Sequence, residues 1–139
     1  MDSPGHNGYD FELAVEAALR AAGYPMVRRG VLYYARDRLQ RRLRKCQIDI
    51  EYFDPASFGK KLVECKWHDA EPVSLEEVAK FVAVLELLGR SGQGVLVSNQ
   101  GFEPAARAYA ALQGLELLTL EQLRRRRGRG LLDRLSGLF

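Results

Sequence analysis

Asp49 lies in the segment QIDIEYF, and Glu64 and Lys66 lie in VECKW, on either side of a stretch, DPASFG (54–59), with the composition of a turn. If the chain folds back about that turn, the two acids face each other and the lysine shares their side. Two carboxylates on adjacent strands offer hard oxygen ligands to a divalent cation, and the backbone carbonyl of Cys65 offers another. Mg²⁺ suits such a set. The cation would polarise a phosphodiester and offset charge in the transition state, while Lys66 positions or helps to deprotonate a water. The chemistry in view is metal-assisted phosphodiester hydrolysis. The competing reading is a plain cross-strand ion pair on a solvated face. Against it stand the apolar flanks of VECKW, because acids and a lysine in a buried-looking sheet need a reason to be there.

The elements that must position these residues are legible from periodicity. Cys46, Ile48, Ile50 and Tyr52 alternate with Gln47, Asp49, Glu51 and Phe53, which predicts a half-buried strand, and KLVECKW (61–67) resumes a strand after the turn. A six-residue loop pairs Phe53 with Lys60 and so sets Asp49 opposite Glu64. Residues 9–22 carry Phe11, Ala14, Val15, Ala18, Leu19 and Ala22 at helical spacing, with Asn7 or Asp10 as N-cap and Gly23 past the end. YPMV and GVLYYA read as one or two strands, and the basic segment after them fits a helical turn or a hairpin. Downstream, Ser74 and Glu77 form a capping box opening a helix over 74–89, GVLVSN (94–99) is a short buried strand, EPAARAYAALQG (103–114) is a helix, and LELLTL is a last strand. The alternation of strands and helices predicts an α/β fold, a mixed central sheet flanked by helices, antiparallel in its hairpin and parallel through its crossovers.

The chain has 139 residues, 47% of them hydrophobic and 28% charged, which fits one globular domain and excludes a disordered or collagen-like chain. No apolar run approaches the roughly 18 residues of a membrane span, and the first residues resemble no secretion signal, so the expected location is cytoplasmic. Cys46 and Cys65 are too few for a disulfide framework and lack zinc spacing. The net charge of +3 is unevenly spread. Residues 36–45 hold six Lys/Arg and one Asp, residues 124–134 hold six Arg and one Asp, and the remainder is acidic. Arginine pairs bidentately with phosphate oxygens, so a nucleic-acid backbone is the partner implied, with Arg36, Arg38, Arg41, Arg42, Arg44 and Lys45 as its contacts. The bland alternative is a solvated basic face. A boundary is expected after Leu123, dividing a domain over 1–123 from an Arg-rich amphipathic tail over 124–139. The tail's stripe of Leu131, Leu132, Leu135, Leu138 and Phe139 would pack on its own domain or a dimer mate, or meet a membrane or protein partner.

FELAVEAALRAAGY, QIDIEYFD, VECKW and GVLVSNQGFEPAARAYAALQGLELLTLEQL together resemble the PD-(D/E)xK nuclease superfamily, and most of all the catalytic domain of Mrr-type restriction endonucleases. The resemblance spans roughly residues 8–123. It implies a restriction-endonuclease-like fold, Mg²⁺-dependent nucleic-acid cleavage and often a homodimer; the leading expectation is a nuclease that cuts DNA, with Mn²⁺ able to substitute for Mg²⁺. It carries the family's first acid onto Asp49, its acid-x-lysine motif onto Glu64 and Lys66, and a first-helix glutamate onto Glu12, which would reach the metal directly or through water. Ile48 stands where the superfamily's proline would precede Asp49. Two rivals remain open: a Holliday-junction resolvase, which shares the hairpin, and a catalytically silent nucleic-acid-binding module.

Other residues weigh less. His68 reads as a polar strand end rather than a phosphate or metal contact, and His6 belongs to a glycine-rich N-terminus. Cys65 and Trp67 read as core packing, although an aromatic near the site could stack on a base. GRSGQG (89–94) lacks the ending of a phosphate-binding loop and reads as a turn. Gln47 and Glu51 share the expected metal face as candidates to support the ligands, while Glu16 and Glu71 fall on solvated faces.

Overall fold

The computed structural model describes residues 4–39 and 41–126. Its elements are α1 (Pro4–Ala21), β1 (Arg28–Arg36), β2 (Arg42–Asp54), β3 (Gly59–Lys66), α2 (Leu75–Leu87), β4 (Gly94–Ser98), α3 (Pro104–Gln113), β5 (Glu116–Thr119) and α4 (Leu120–Arg124). The strands form one sheet in the order β1-β2-β3-β4-β5. β1, β2 and β3 are antiparallel neighbours, while β3, β4 and β5 run parallel through the α2 and α3 crossovers. This is the mixed α/β sheet that the alternation of elements implied.

Each face of the sheet has its own core. On one side Phe11, Val15, Ala18 and Leu19 of α1 and Leu123 of α4 pack against Ile50, Tyr52, Val63, Val95, Val97 and Leu118. On the other, Val78, Phe81, Val82 and Leu85 of α2 and Ala106 and Ala110 of α3 pack against Ile48, Leu62 and Leu96. The β3 and β4 runs are apolar on both faces because helices cover both, as parallel strands require.

Local signals set the element ends. Ser74 caps α2 and Glu77 returns the bond to the cap backbone, so the capping box forms as its spacing predicted. α3 starts at Pro104 and ends on Gly114 in the left-handed conformation. α1 begins earlier than expected, at Pro4, so Asn7 and Asp10 lie inside it rather than at its cap; a proline at the first position suits a helix start. The basic segment resolves as a hairpin. β2 starts at Arg42, and Asp37 holds the turn by accepting from the backbone N–H groups of Leu39 and Arg41, both at 2.9 Å, and from Arg41 Nε at 2.8 Å. YPMV forms no strand; instead the carbonyl of Pro25 accepts from Phe53 N–H.

At the C-terminal end, Arg126 donates to the Tyr24 hydroxyl at 2.9 Å and to Glu116 at 3.1 Å, so the first arginines past Leu123 are tied to the domain. The leucine stripe from Leu131 to Phe139 lies outside the described residues. Among the described residues, no helix is long and apolar enough to cross a membrane.

Candidate active site

The site forms where β2 and β3 part. Their ladder runs from Asp54↔Gly59 through Phe53↔Lys60 to Ile50↔Val63 and stops. One further step would pair Asp49 with Glu64, so the expected register holds, but the strands separate there. Instead Asp49 reaches across with its side chain, and Oδ2 accepts from the Cys65 N–H at 2.8 Å. On the β1 side, Arg29↔Ile50 and Val31↔Ile48 are paired, and between them Gly30 is left-handed with φ 63°. That twist has a consequence for packing. Ile48 joins the α2/α3 core, whereas Ile50 and Tyr52 join the α1 core. The strict alternation expected for 46–53 therefore breaks at Asp49, because the fork and the left-handed glycine rotate the strand between Ile48 and Ile50.

Burial, then the hydrogen bond to Asp49 and that residue's charge, push the Glu64 carboxyl well above its ordinary range, while the Lys66 charge pulls it back and Glu12 adds a smaller push. Burial beside a second acid favours the neutral form of Glu64 unless a counter-charge is supplied. Glu12 on α1 is raised by burial and then by Asp49, with Arg29 opposing at 3.8 Å. Asp49, Glu64, Lys66 and Glu12, drawn from β2, β3 and α1, thus sense one another across one site. Cys65 faces the α1 core, and burial followed by the charges of Asp49, Glu12 and Glu64 drives its thiol strongly upward, which keeps it protonated and unreactive.

Among the described residues no three His, Cys, Asp or Glu side chains form a metal cluster. The donor set is still one a hard cation accepts: two carboxylates pressed together, with the Cys65 carbonyl between Glu64 and Lys66 in sequence. The upward push on Glu64 from burial and from Asp49 marks where positive charge is wanted.

A cleft of about 240 Å³ opens at the fork, lined by Asp49 and Glu64, by Arg44, Lys45 and Gln47 of β2, and by Phe81 and Val84 of α2 among others. Two of the six expected phosphate contacts, Arg44 and Lys45, therefore stand at the carboxylates. Arg36 ends β1 opposite Arg42 in the register, Arg38 lies in the turn, and Arg41 is ion-paired with Asp37. Glu51 does not support the site. It is buried, accepts from the Tyr33 hydroxyl at 2.7 Å, and has Lys60 at 3.6 Å and Arg28 at 3.8 Å; once the strand rotates at Asp49, its parity with that residue no longer means a shared face.

Sequence reasoning missed the arrangement behind Lys66. The His68 ring lies 2.9 Å from Glu77 Oε2 and 2.9 Å from the Glu71 carbonyl. Burial works to raise Glu77, but the Ser74 amide, His68 and Lys66 together outweigh it and hold the carboxyl below its ordinary range. The capping box was visible in the sequence; the second use of Glu77 needed the fold to bring the end of β3 to α2. Asn99 completes the frame. Its backbone N–H donates to the Lys66 carbonyl at 3.4 Å, and its side chain both accepts from His68 N–H at 2.8 Å and donates to His68 C=O at 2.7 Å.

A helix-flanked mixed sheet with two acids and a lysine at a strand fork defines a nuclease-type domain. The family model of the Mrr catalytic domain, described as a restriction endonuclease, matches residues 5–126, and the chain belongs to that family. No curated protein matches the chain. Its fold is similar to that of Can2 from Sulfobacillus thermosulfidooxidans, solved with cyclic tetra-adenylate (18% identity, 86% of this chain and 35% of that one, TM-score 0.63). It is also similar to the DNA modification-dependent restriction endonuclease AspBHI (20% identity, 95% and 35%, TM-score 0.53) and to EndoMS, solved with double-stranded DNA (17% identity, 88% and 47%, TM-score 0.54). The chain spans between about a third and half of the length of these three proteins.

Proposed function

We propose that the chain is an endonuclease that hydrolyses DNA phosphodiester bonds with Mg²⁺, for which Mn²⁺ can substitute. The observation that carries this reading is the meeting of Asp49 and Glu64 at the fork, where both acids line the cleft and Asp49 accepts from the Cys65 N–H, with Lys66 one residue beyond the Cys65 carbonyl. Asp49, Glu64 and that carbonyl would hold the cation, which when bound supplies Lewis-acid polarisation of the scissile phosphate. The rest falls to the protein's own groups. Lys66 orients the attacking water and eases loss of its proton, Glu12 adds negative charge behind the pair, and Arg44 and Lys45 seat the neighbouring phosphates. Asn99 and the His68–Glu77 contact keep the end of β3 in place, so the lysine does not have to be ordered during the reaction.

Supercoiled plasmid, branched junctions and single strands, each incubated with and without Mg²⁺, test the reading. Expected is metal-dependent cleavage that Lys66→Ala lowers by about 10²-fold or more in kcat while calorimetric Mn²⁺ binding persists. Cleavage confined to branched junctions would favour the resolvase reading. Binding without cleavage under any metal would leave a silent binding module.

A further inference from the structure

Glu51 is a charge buried in the sheet, and the cations gathered around it outnumber it. Arg28 and Leu62 are its partners across the two ladders, and paired residues share a face. Leu62 belongs to the α2/α3 core, Tyr33 packs against that core, and Lys60 alternates onto the same face of β3 as Leu62 and Glu64. All of them therefore lie on the side of the sheet where α2 lines the cleft. The Tyr33 hydroxyl donates to Glu51 Oε1 at 2.7 Å. The other oxygen, Oε2, has Lys60 Nζ at 3.6 Å and Arg28 Nη1 at 3.8 Å, both beyond the length of a hydrogen bond. A third cation, Arg90, lies over the Tyr33 ring, 5.6 Å from its centroid, and donates to Gln93 at 3.3 Å. Burial and the bond to Glu51 push the Tyr33 hydroxyl up to about 12 while Arg90 and Arg28 oppose them, so both arginines act on one hydroxyl. Three cations around one carboxylate leave two positive charges unmatched. The Glu51 side chain is 3% exposed, against 65% for Arg28 and 43% for Lys60, so the acid is sealed beneath cations that face solvent.

We propose that Arg28, Lys60 and Arg90 form a phosphate-binding site for the DNA backbone, held in place by the Glu51–Tyr33 pair beneath them. The proposal rests on the nuclease reading and deepens it by giving the substrate a second hold away from the cut. A buried acid of this kind adds little to stability, since replacing a buried ion pair by packed apolar residues is often neutral. What it supplies is a fixed point that draws two long side chains together before any ligand arrives. Arg28 and Lys60 approach the same oxygen, so one phosphate can bridge them through donors that Glu51 does not use. Along β3, Lys60 is four residues from Glu64, about 13 Å, which is about four base-pair steps. Tyr33 spans the interval on the neighbouring strands: it pairs with Cys46, which lines the cleft, and reaches Glu51 with its hydroxyl. A duplex with one phosphate at the fork is thus long enough to meet the cluster with another.

The full chain in metal-free buffer, titrated over a salt series against a labelled duplex two helical turns long by fluorescence anisotropy, tests this. Lys60→Gln should lower the slope of log affinity against log salt by about 0.9, the loss of one phosphate contact. Lys61→Gln should leave the slope unchanged, because Lys61 pairs with Tyr52 and so lies on the α1 face. If Lys60→Gln lowers the melting temperature, Arg28→Gln gives the same comparison and should show the same fall. An unchanged slope in both variants, or an equal fall for Lys60→Gln and Lys61→Gln, overturns the site. Calorimetry with inorganic phosphate separates the two sources of the anion: phosphate binding lost in Lys60→Gln while the duplex slope stays put would mark a free-anion site and overturn the backbone reading. Plasmid cleavage by the parent with Mg²⁺ is read separately. Cleavage without a Lys60-dependent slope sinks the site and spares the nuclease; a Lys60-dependent slope without cleavage does the reverse.

Discussion

Burial and the neighbouring Asp49 favour the protonated form of Glu64, and that has a measurable sign. Its folded-state pKa is raised above the ordinary 4.5, so between that value and the raised one the folded state holds more protons than the unfolded. Stability therefore falls as pH rises through this window and levels off above it. In EDTA the melting temperature of the parent should drop from pH 5 to pH 8, and Glu64→Gln should flatten the profile and melt higher than the parent at pH 8. A flat parent profile would mean that the fold does not raise Glu64. At this scale the sequence was informative about which residues meet: Asp49, Glu64 and Lys66 were placed by register counting, and the counted pair Phe53↔Lys60 is the observed one. What register counting could not see was the parting of the strands at the next step. It treats a hairpin as an unbroken ladder, whereas the fork depends on the tertiary course of β1 and the conformation of Gly30.

At the scale of elements, Asn99 does a strand's work with a side chain. Its amide pairs with both backbone groups of His68, continuing the β3–β4 association past Lys66↔Ser98. Asn99→Ala leaves two partly buried backbone groups without these partners, which costs roughly 1–3 kcal/mol. Chemical denaturation should show that loss, and plasmid cleavage should slow beyond what the fraction unfolded explains, since Lys66 sits at the loosened end. Asn99 reads in the sequence only as the last residue of a short strand. Its bonds reach 31 residues back along the chain, a separation that periodicity does not address. Helix α4 leaves no trace in the periodicity for a related reason: five residues are too few for a periodic signal, and it is the Thr119–Gln122 capping box that starts it.

For the whole molecule, the charge map and the fold agree on where a polyanion would lie. The basic hairpin projects from the outer side of the sheet and brings Arg44 and Lys45 to the cleft, but its arginines are not equivalent. Arg41 is committed to Asp37, whose carboxyl is held below its ordinary range chiefly by the Arg41 backbone N–H. Arg44→Ala should therefore lower the slope of log affinity against log salt by about 0.9 for duplex DNA, the release of one counterion, and Arg41→Ala should lower it less. Equal slopes for the two variants would remove Arg44 from the phosphate path.

Where β2 leaves β3, the backbone of Glu64, Cys65 and Lys66 is a sheet edge in the middle of a sheet, flanked by Leu62, Val63 and Trp67. Such an edge is a template on which another chain can add a strand, and proteins protect their edges with charge and with side-chain plugs. Asp49 is the plug here, because its carboxylate occupies the Cys65 N–H, and Lys66 supplies the charge. The residues proposed for hydrolysis therefore also guard solubility. Asp49→Asn keeps an acceptor over that N–H and should stay monodisperse in light scattering, whereas Asp49→Ala should aggregate on mild heating. A catalytically inert form made for binding work should be built from amides, not from apolar residues.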